Sequence, residues 1–181
     1  MKRLFLLLLA SLFCFSIAVG ETRESTGPAV GSVAPDFKAH NLLTGERTPL
    51  SSQRGKVVIL TFWASWCTPC RRELPNLEKA QRIVGKDKLT VFAVSFSDSA
   101  AESGVKKLAS QWQINMIEDR NGWIASHYSI SAIPHLFIIG RDGRVLANHT
   151  GYGDRSLQEL VDDINRAFSE PAPVEEGTPI S

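Results

Sequence analysis

The stretch Val57–Pro75, VVILTFWASWCTPCRRELP, constrains this chain more than any other. Val57 to Trp63 is an unbroken apolar, β-branched and aromatic run, the signature of a strand buried on both faces. Helical spacing starts directly after it, with Leu74 and Leu77 three apart and Ile83 and Val84 six and seven further on. Between the two lies Trp66-Cys67-Thr68-Pro69-Cys70. A C-x-x-C therefore sits where a buried strand ends and a helix begins. Free N–H groups and the macrodipole at a helix N-terminus favour an anion, so the first thiol should ionise more easily than a free one. One turn of helix brings the second sulfur within reach of the first. Arg71 and Arg72 add positive charge. The chemistry implied is reversible dithiol–disulfide exchange.

The rest of the cysteine inventory sharpens this. The chain has three cysteines in 181 residues. The third, Cys14, lies in a leader-like segment: Lys2 and Arg3 form a basic start, Leu4 to Val19 is apolar apart from Ser11 and Ser16, and Ala18-Val19-Gly20 supplies the small residues of a cleavage site. Residues 1–20 are thus expected to be a secretory signal or, on the alternative reading, an uncleaved anchor; the apolar run is short against the roughly 20 residues a span needs. Bulky Phe13 argues against lipidation of Cys14. What remains after the leader is Cys67 and Cys70, with no spare pair for a structural disulfide, so in an oxidising compartment redox work is favoured over stapling. The net charge of +1 and the absence of long basic runs give no sign of a nucleic-acid partner, and none is expected. Hydrophobic content of 43% is sufficient for a proper core.

Taken in order, residues 21–30 read as a linker. Gly31 to Leu50 alternates around a Thr44-Gly45 turn and predicts a short N-terminal hairpin. The first helix should run from Cys67 to Val84 and stop at Gly85, with Pro75 kinking it. Leu89–Phe96 is the next buried strand. Ser99 to Glu102 has capping-box spacing ahead of a helix whose buried face is Val105, Leu108, Ala109 and Trp112. A short strand at Ile117 and a short helix over Gly122–Tyr128 follow. The strands His135–Ile139 and Val145–His149 are joined by an Arg141-Asp142-Gly143 turn. A second capping box, Ser156 to Glu159, opens a last helix buried through Leu157, Leu160, Val161, Ile164 and Phe168. Residues 170–181 are rich in Pro, Glu and Gly and read as a disordered tail. The pattern predicts an α/β domain over residues 31–169, with a central mixed sheet flanked by helices and a β-hairpin extension at its N-terminal end.

Phe62-Trp-Ala-Ser-Trp-Cys-Thr-Pro-Cys70, followed by Glu73-Leu-Pro75, resembles the thioredoxin superfamily. Gly31-Ser-Val-Ala-Pro-Asp-Phe37, Gly55-Lys56, Ile133-Pro134 and Gly140-Arg-Asp-Gly143 narrow the resemblance to its TlpA/ResA-like branch, exported or membrane-tethered thiol–disulfide oxidoreductases. The resemblance covers Gly31 to Phe168. It implies a thioredoxin-like fold, Cys67 as nucleophile, Cys70 as resolving thiol, and Thr68 and Pro69 as tuners of the redox potential. It further implies a cis Pro134 beside the cysteines, Ile133 offering its backbone to an extended client segment, and Trp66 shaping the rim. The implied partners are client protein disulfides, apocytochromes c among them, and a membrane-bound thiol electron donor. The implied setting is periplasmic or otherwise extracytoplasmic, for a monomer that needs no cofactor or metal. The chain departs from typical thioredoxins at Thr61, where they carry a buried Asp six residues before the first Cys. Asp98, with Glu102 a turn further on, matches the place after the next strand where ResA-like proteins keep an acid, so Asp98 is the expected acid–base partner of Cys70.

Competing readings stay beside these. A zinc site would need two more ligands, and His40, His127, His135 and His149 show no ligand spacing. Trp63 reads as core. His135, just after Pro134, could face the thiols or be an ordinary strand residue. Asn148-His149-Thr150 matches a glycosylation sequon by pattern alone. The Ala-Pro-Asp-Phe37 opening is shared with peroxiredoxins, but their peroxidatic Pro and Thr are replaced by Leu60 and Ala64. A peroxiredoxin-like peroxidase is therefore the runner-up enzyme, and a non-redox binding or chaperone module the alternative of another class.

Overall fold

A computed structural model describes residues 27–96 and 103–170. Among them, seven strands form one mixed sheet in the order β2-β1-β5-β4-β3-β6-β7. The strands are β1 (Lys38–Asn41), β2 (Arg47–Pro49), β3 (Val57–Trp63), β4 (Leu89–Ser95), β5 (Asn115–Glu118), β6 (His135–Ile139) and β7 (Val145–Thr150). The helices are α1 (Thr68–Val84), α2 (Ser103–Ala109), α3 (Trp123–His127) and α4 (Asp154–Ser169).

Every residue of β3 and β4 is buried. They run parallel, with Val57 opposite Leu89 and Trp63 opposite Ser95. A parallel pair must be covered on both faces, which is why these strands read as continuous apolar runs. On the other side of β3, β6 runs antiparallel, with Thr61 opposite Leu136. The predicted N-terminal hairpin is β1–β2, and it joins the same sheet at its edge through His40 opposite Glu118 on β5. Gly143 closes the β6–β7 turn at φ 81°, and a Cβ there would collide with the Arg54 guanidinium. Gly85 ends α1 as its sequence implies, at φ 98° with its N–H on the Gln81 carbonyl.

Alternation along β3 builds two cores. Val57, Ile59 and Trp63 pack under α1 with Leu74, Leu77, Leu136, Ile138, Leu160 and Ile164. Val58, Leu60 and Phe62 pack on the opposite face with Phe37, Phe92, Tyr128 and Phe137.

Three sequence expectations are corrected. Ile83 is 72% exposed; the buried stripe of α1 is Cys70, Glu73, Leu74, Leu77 and Gln81, and Ile83 stands roughly 200° round the helix from Gln81. The Gln81 amide is buried because it is used, accepting from Val91 N–H at 2.7 Å and donating to the Gln113 carbonyl at 3.3 Å. Val161 is 44% exposed, since it lies about 100° past Leu160 while the face of α4 is completed by Asp163, Ile164 and Ala167. The last helix also begins at Asp154, directly after Gly153, so Ser156 to Glu159 lies inside it rather than capping it. The leader, the Ser99–Glu102 box and the tail from residue 171 fall outside the described residues.

Candidate active site

Strand β3 ends at Trp63, and Cys67 is the N-cap of α1 with extended backbone, φ −80° and ψ 97°. Its Sγ accepts the Cys70 N–H at 3.2 Å, the place an N-cap oxygen takes in an ordinary helix. Pro69 falls in the first turn, where its missing N–H costs no helical hydrogen bond. Cys67 and Cys70 are joined in a disulfide with Cα atoms 5.3 Å apart, within the usual range. Cys70 is fully buried, Cys67 retains 4% exposure, and Trp66 beside them is 63% exposed. Attack from outside can therefore reach only the first sulfur. No acid occupies the first turn of α1, so nothing there opposes a thiolate at Cys67.

The Ile133–Pro134 bond is cis. The Pro134 carbonyl accepts the Gly151 N–H at 2.8 Å, fixing the entry to β6, and Ile133 packs against both cores. His135 does not turn toward the layer that holds the thiols. It stacks on Phe137 with ring centroids 4.8 Å apart, on the sheet face opposite Leu136. Burial first, and the nearby His149 second, hold its pKa below the usual histidine value. Trp63 is core, edge-on to Trp112 at 5.8 Å.

The expected acid, Asp98, lies outside the described residues, as does Glu102. Sequence reasoning missed a different one. Glu73 is buried on α1, one turn from Cys70 on the same helix face, where side chains three apart are about 5–6 Å from each other at Cβ. Its Oε2 accepts from the Thr61 hydroxyl at 2.9 Å. Thr61 thus stands where typical thioredoxins have an Asp, and it hands that layer of the core to a carboxyl carried by the helix. Burial pushes the Glu73 pKa up to about 7, against the opposing Thr61 hydrogen bond. The available signal was an acid at i+3 from Cys70 within the apolar stripe.

A buried strand, a cysteine N-cap disulfide-bonded to a cysteine one turn on, and a cis-proline at the start of the neighbouring strand β6 fit a thioredoxin-fold thiol–disulfide oxidoreductase. Comparison with known proteins agrees. Residues 30–148 match the AhpC/TSA family. The chain is 33% identical over 153 residues to the thiol-disulfide oxidoreductase ResA of Geobacillus thermodenitrificans, covering 83% of this chain and 86% of that one. It is 33% identical over 147 residues to the thioredoxin-like protein YneN of Bacillus subtilis, covering 80% and 85%. A crystal structure from Chlorobium tepidum, assigned as a thiol:disulfide interchange protein DsbE, superposes with TM-score 0.69 at 30% identity, covering 77% of this chain and 98% of that one. The chain belongs to the AhpC/TSA family, in its TlpA/ResA-like branch of thiol–disulfide oxidoreductases.

Proposed function

We propose that this oxidoreductase works outside the cytoplasm and reduces disulfides in client proteins, apocytochromes c among them, drawing electrons from a membrane-bound thiol donor. The observation that supports the reductive reading is the site's own layout: Cys67 at a helix N-terminus with a trace of exposure beside exposed Trp66, and a fully buried Cys70 one turn from a carboxyl whose pKa is pushed up to about 7. Among the described residues no helix is long and apolar enough to cross a membrane. Export therefore rests on the leader-like residues 1–20, removed as a signal or kept as an anchor.

In the reduced protein the Cys67 thiolate attacks one sulfur of a client disulfide. That bond breaks, a Cys67–client disulfide forms, and the first client thiolate leaves and takes a proton. Glu73 then accepts the Cys70 proton, and the Cys70 thiolate attacks Cys67 Sγ. The second client thiolate leaves and is protonated, and the Cys67–Cys70 disulfide remains. Two electrons have passed from the enzyme to the client. Glu73 takes the acid–base role in preference to Asp98, because it is buried on the Cys70 face with a pKa suited to proton exchange near neutrality. Exposed Trp66 and the backbone at Ile133 and Pro134 would receive the client segment, and Thr68 and Pro69 would set the potential.

The test is the equilibrium reduction potential of the Cys67–Cys70 pair in glutathione buffers. A value near roughly −270 mV supports a reductase, and a value near roughly −120 mV makes the protein a disulfide donor and removes the cytochrome reading. The peroxidase alternative shares the AhpC/TSA family match. Peroxide turnover at peroxiredoxin-like rates would establish it over the reductase.

A further inference from the structure

Glu73 poses a problem of proton supply. A buried carboxyl that takes a proton from Cys70 must release it before the next cycle, and Glu73 is almost wholly buried. The row of side chains at its level runs across three strands on one sheet face: Thr61 on β3 is opposite Leu136 on β6, and Leu136 is opposite His149 on β7. Beside this row lies a cavity of about 10 Å³ lined by Glu73, Leu136, His149, Gly151, Tyr152 and Leu160. That is space for one water. Three of its lining side chains are polar, as a water in such a place requires.

The far side of His149 is built as well. Its Nε2 is 2.7 Å from Asp163 Oδ2, and Asp163 Oδ1 is 2.7 Å from the Arg166 guanidinium. Asp163 is buried in the apolar stripe of α4, between Leu160, Ile164 and Ala167. A carboxylate there needs partners, and it has the imidazole and the guanidinium. With Nε2–H donated to Asp163, Nδ1 is the basic nitrogen of the ring. The His149 side chain is 18% exposed, so it meets solvent on one side and the Glu73 cavity on the other.

We infer that His149, held by Asp163, is the outer member of a proton path that runs from Cys70 through Glu73 and one cavity water to solvent. On Cys70 deprotonation Glu73 becomes the neutral acid. It passes its proton across the water to His149, whose cation Asp163 stabilises and which releases the proton to bulk buffer. Reduction by the thiol donor runs the path in reverse. The groups facing His149 are Asp163 and Arg166 from α4, Glu73 from α1 and Tyr152 beyond β7; His135 on β6 is near it but on the other sheet face. Tyr152 is engaged by Asn76, which donates to its hydroxyl at 2.6 Å. His149 acts through Glu73 and is a positioning and relay residue.

The inference rests on Glu73 being the partner of Cys70, and the test separates the two. Reduced full-length protein, carrying Cys14→Ser so that only Cys67 and Cys70 react, is mixed with dithiobis(nitrobenzoate), which releases one coloured thiolate on attack by Cys67 and a second when Cys70 displaces the reagent from Cys67. In dilute buffer His149→Gln should slow the second release about tenfold, a fraction of what a proton-transfer group contributes, and leave the first unchanged. Added imidazole should restore it. Asp163→Asn, which keeps the ring in place, should slow the second release by a smaller factor. If neither variant alters the second release while Glu73→Gln does, the relay is wrong and His149–Asp163 only staples α4 to β7. Slowing without rescue by imidazole also overturns the relay, because repacking would do that. A Glu73→Gln variant with an unchanged second release overturns the Glu73 role itself, and the relay with it.

Discussion

The two faces of this sheet are made by alternate residues of the same strands, yet they do different work. The face under α1 and α4 holds Cys67, Cys70, Thr61, Glu73, Gln81 and Asp163 among aliphatic side chains and the Trp63–Trp112 pair. The face under α3 is an aromatic cluster. Phe62 meets Phe137 at 6.4 Å, Tyr128 meets Phe137 at 5.1 Å, and Phe37 meets Phe92 at 6.1 Å. The buried Tyr128 hydroxyl there is tied to the Pro35 carbonyl at 2.9 Å. Polar groups in the first face cost desolvation, and their positions are those the chemistry needs. The second face buries fewer polar groups, His135 and Thr90 beside Tyr128, and its aromatic cluster can supply stability for both. A strand with period two thereby separates function from support within one residue step.

The most severe way to break this division is substitution on each face. Cys67→Ser should reduce client-disulfide reduction to background, and Cys70→Ser should accumulate a covalent Cys67–client adduct, visible on non-reducing gels. Phe137→Ala should do the opposite: lower stability by about 3–5 kcal/mol in denaturant unfolding, while the folded fraction keeps the wild-type rate of Cys70 attack. If Phe137→Ala changes that rate, the aromatic face is part of the site and the comparison fails.

A second difference is in pH dependence. Glu73 has its pKa raised from 4.5 to about 7 in the folded state. Between those values the folded protein binds more protons than the unfolded chain, so this group's contribution falls as pH rises. It is fully present below about 4.5 and is lost as pH passes through about 7. At about 1.4 kcal/mol per pH unit, the change is about 3 kcal/mol. Oxidised Glu73→Gln should therefore gain about 3 kcal/mol relative to wild type between pH 5 and pH 8, measured by chemical unfolding at each pH. A constant difference across that range would mean that Glu73 is not a buried acid. No variant confined to the aromatic cluster should show this slope.

The same contrast explains what could be read from the residues alone. The fold was legible because its signals are local: the apolar runs of β3 and β4, the Asp142-Gly143 turn, Gly85 at the end of α1. Cys67 and Cys70 were legible because their spacing and position carry their chemistry. Glu73 was not, since a glutamate on a helix ordinarily faces water, and its burial depends on Thr61 from a strand twelve residues earlier. Asp163 is the same case, its burial decided by His149 on another element. Ile83 and Val161 erred in the other direction: apolar type suggested burial, and the helical angle denied it. Asp98 was chosen because Thr61 cannot titrate, but Thr61 donates its hydrogen bond to the acid instead of replacing it.

The smallest and cleanest comparison is a matched pair of hydroxyl deletions. Tyr128→Phe removes the donor to the Pro35 carbonyl on the aromatic face, and Thr61→Val removes the donor to Glu73 on the other. Each deletes one hydrogen bond, and each should cost on the order of 1 kcal/mol, somewhat more where an acceptor is left unsatisfied. Their pH responses should differ. The Pro35 carbonyl does not titrate, so the Tyr128→Phe cost should be flat from pH 5 to pH 8. The Thr61 hydrogen bond favours ionised Glu73. Its loss should raise that pKa further and move the midpoint of the stability slope, and of Cys70 attack, to higher pH. Unfolding curves and the second thiolate release, followed across the same pH series, would read both. Equal pH responses would mean that Thr61 only fills space, and that the two faces differ in composition but not in kind.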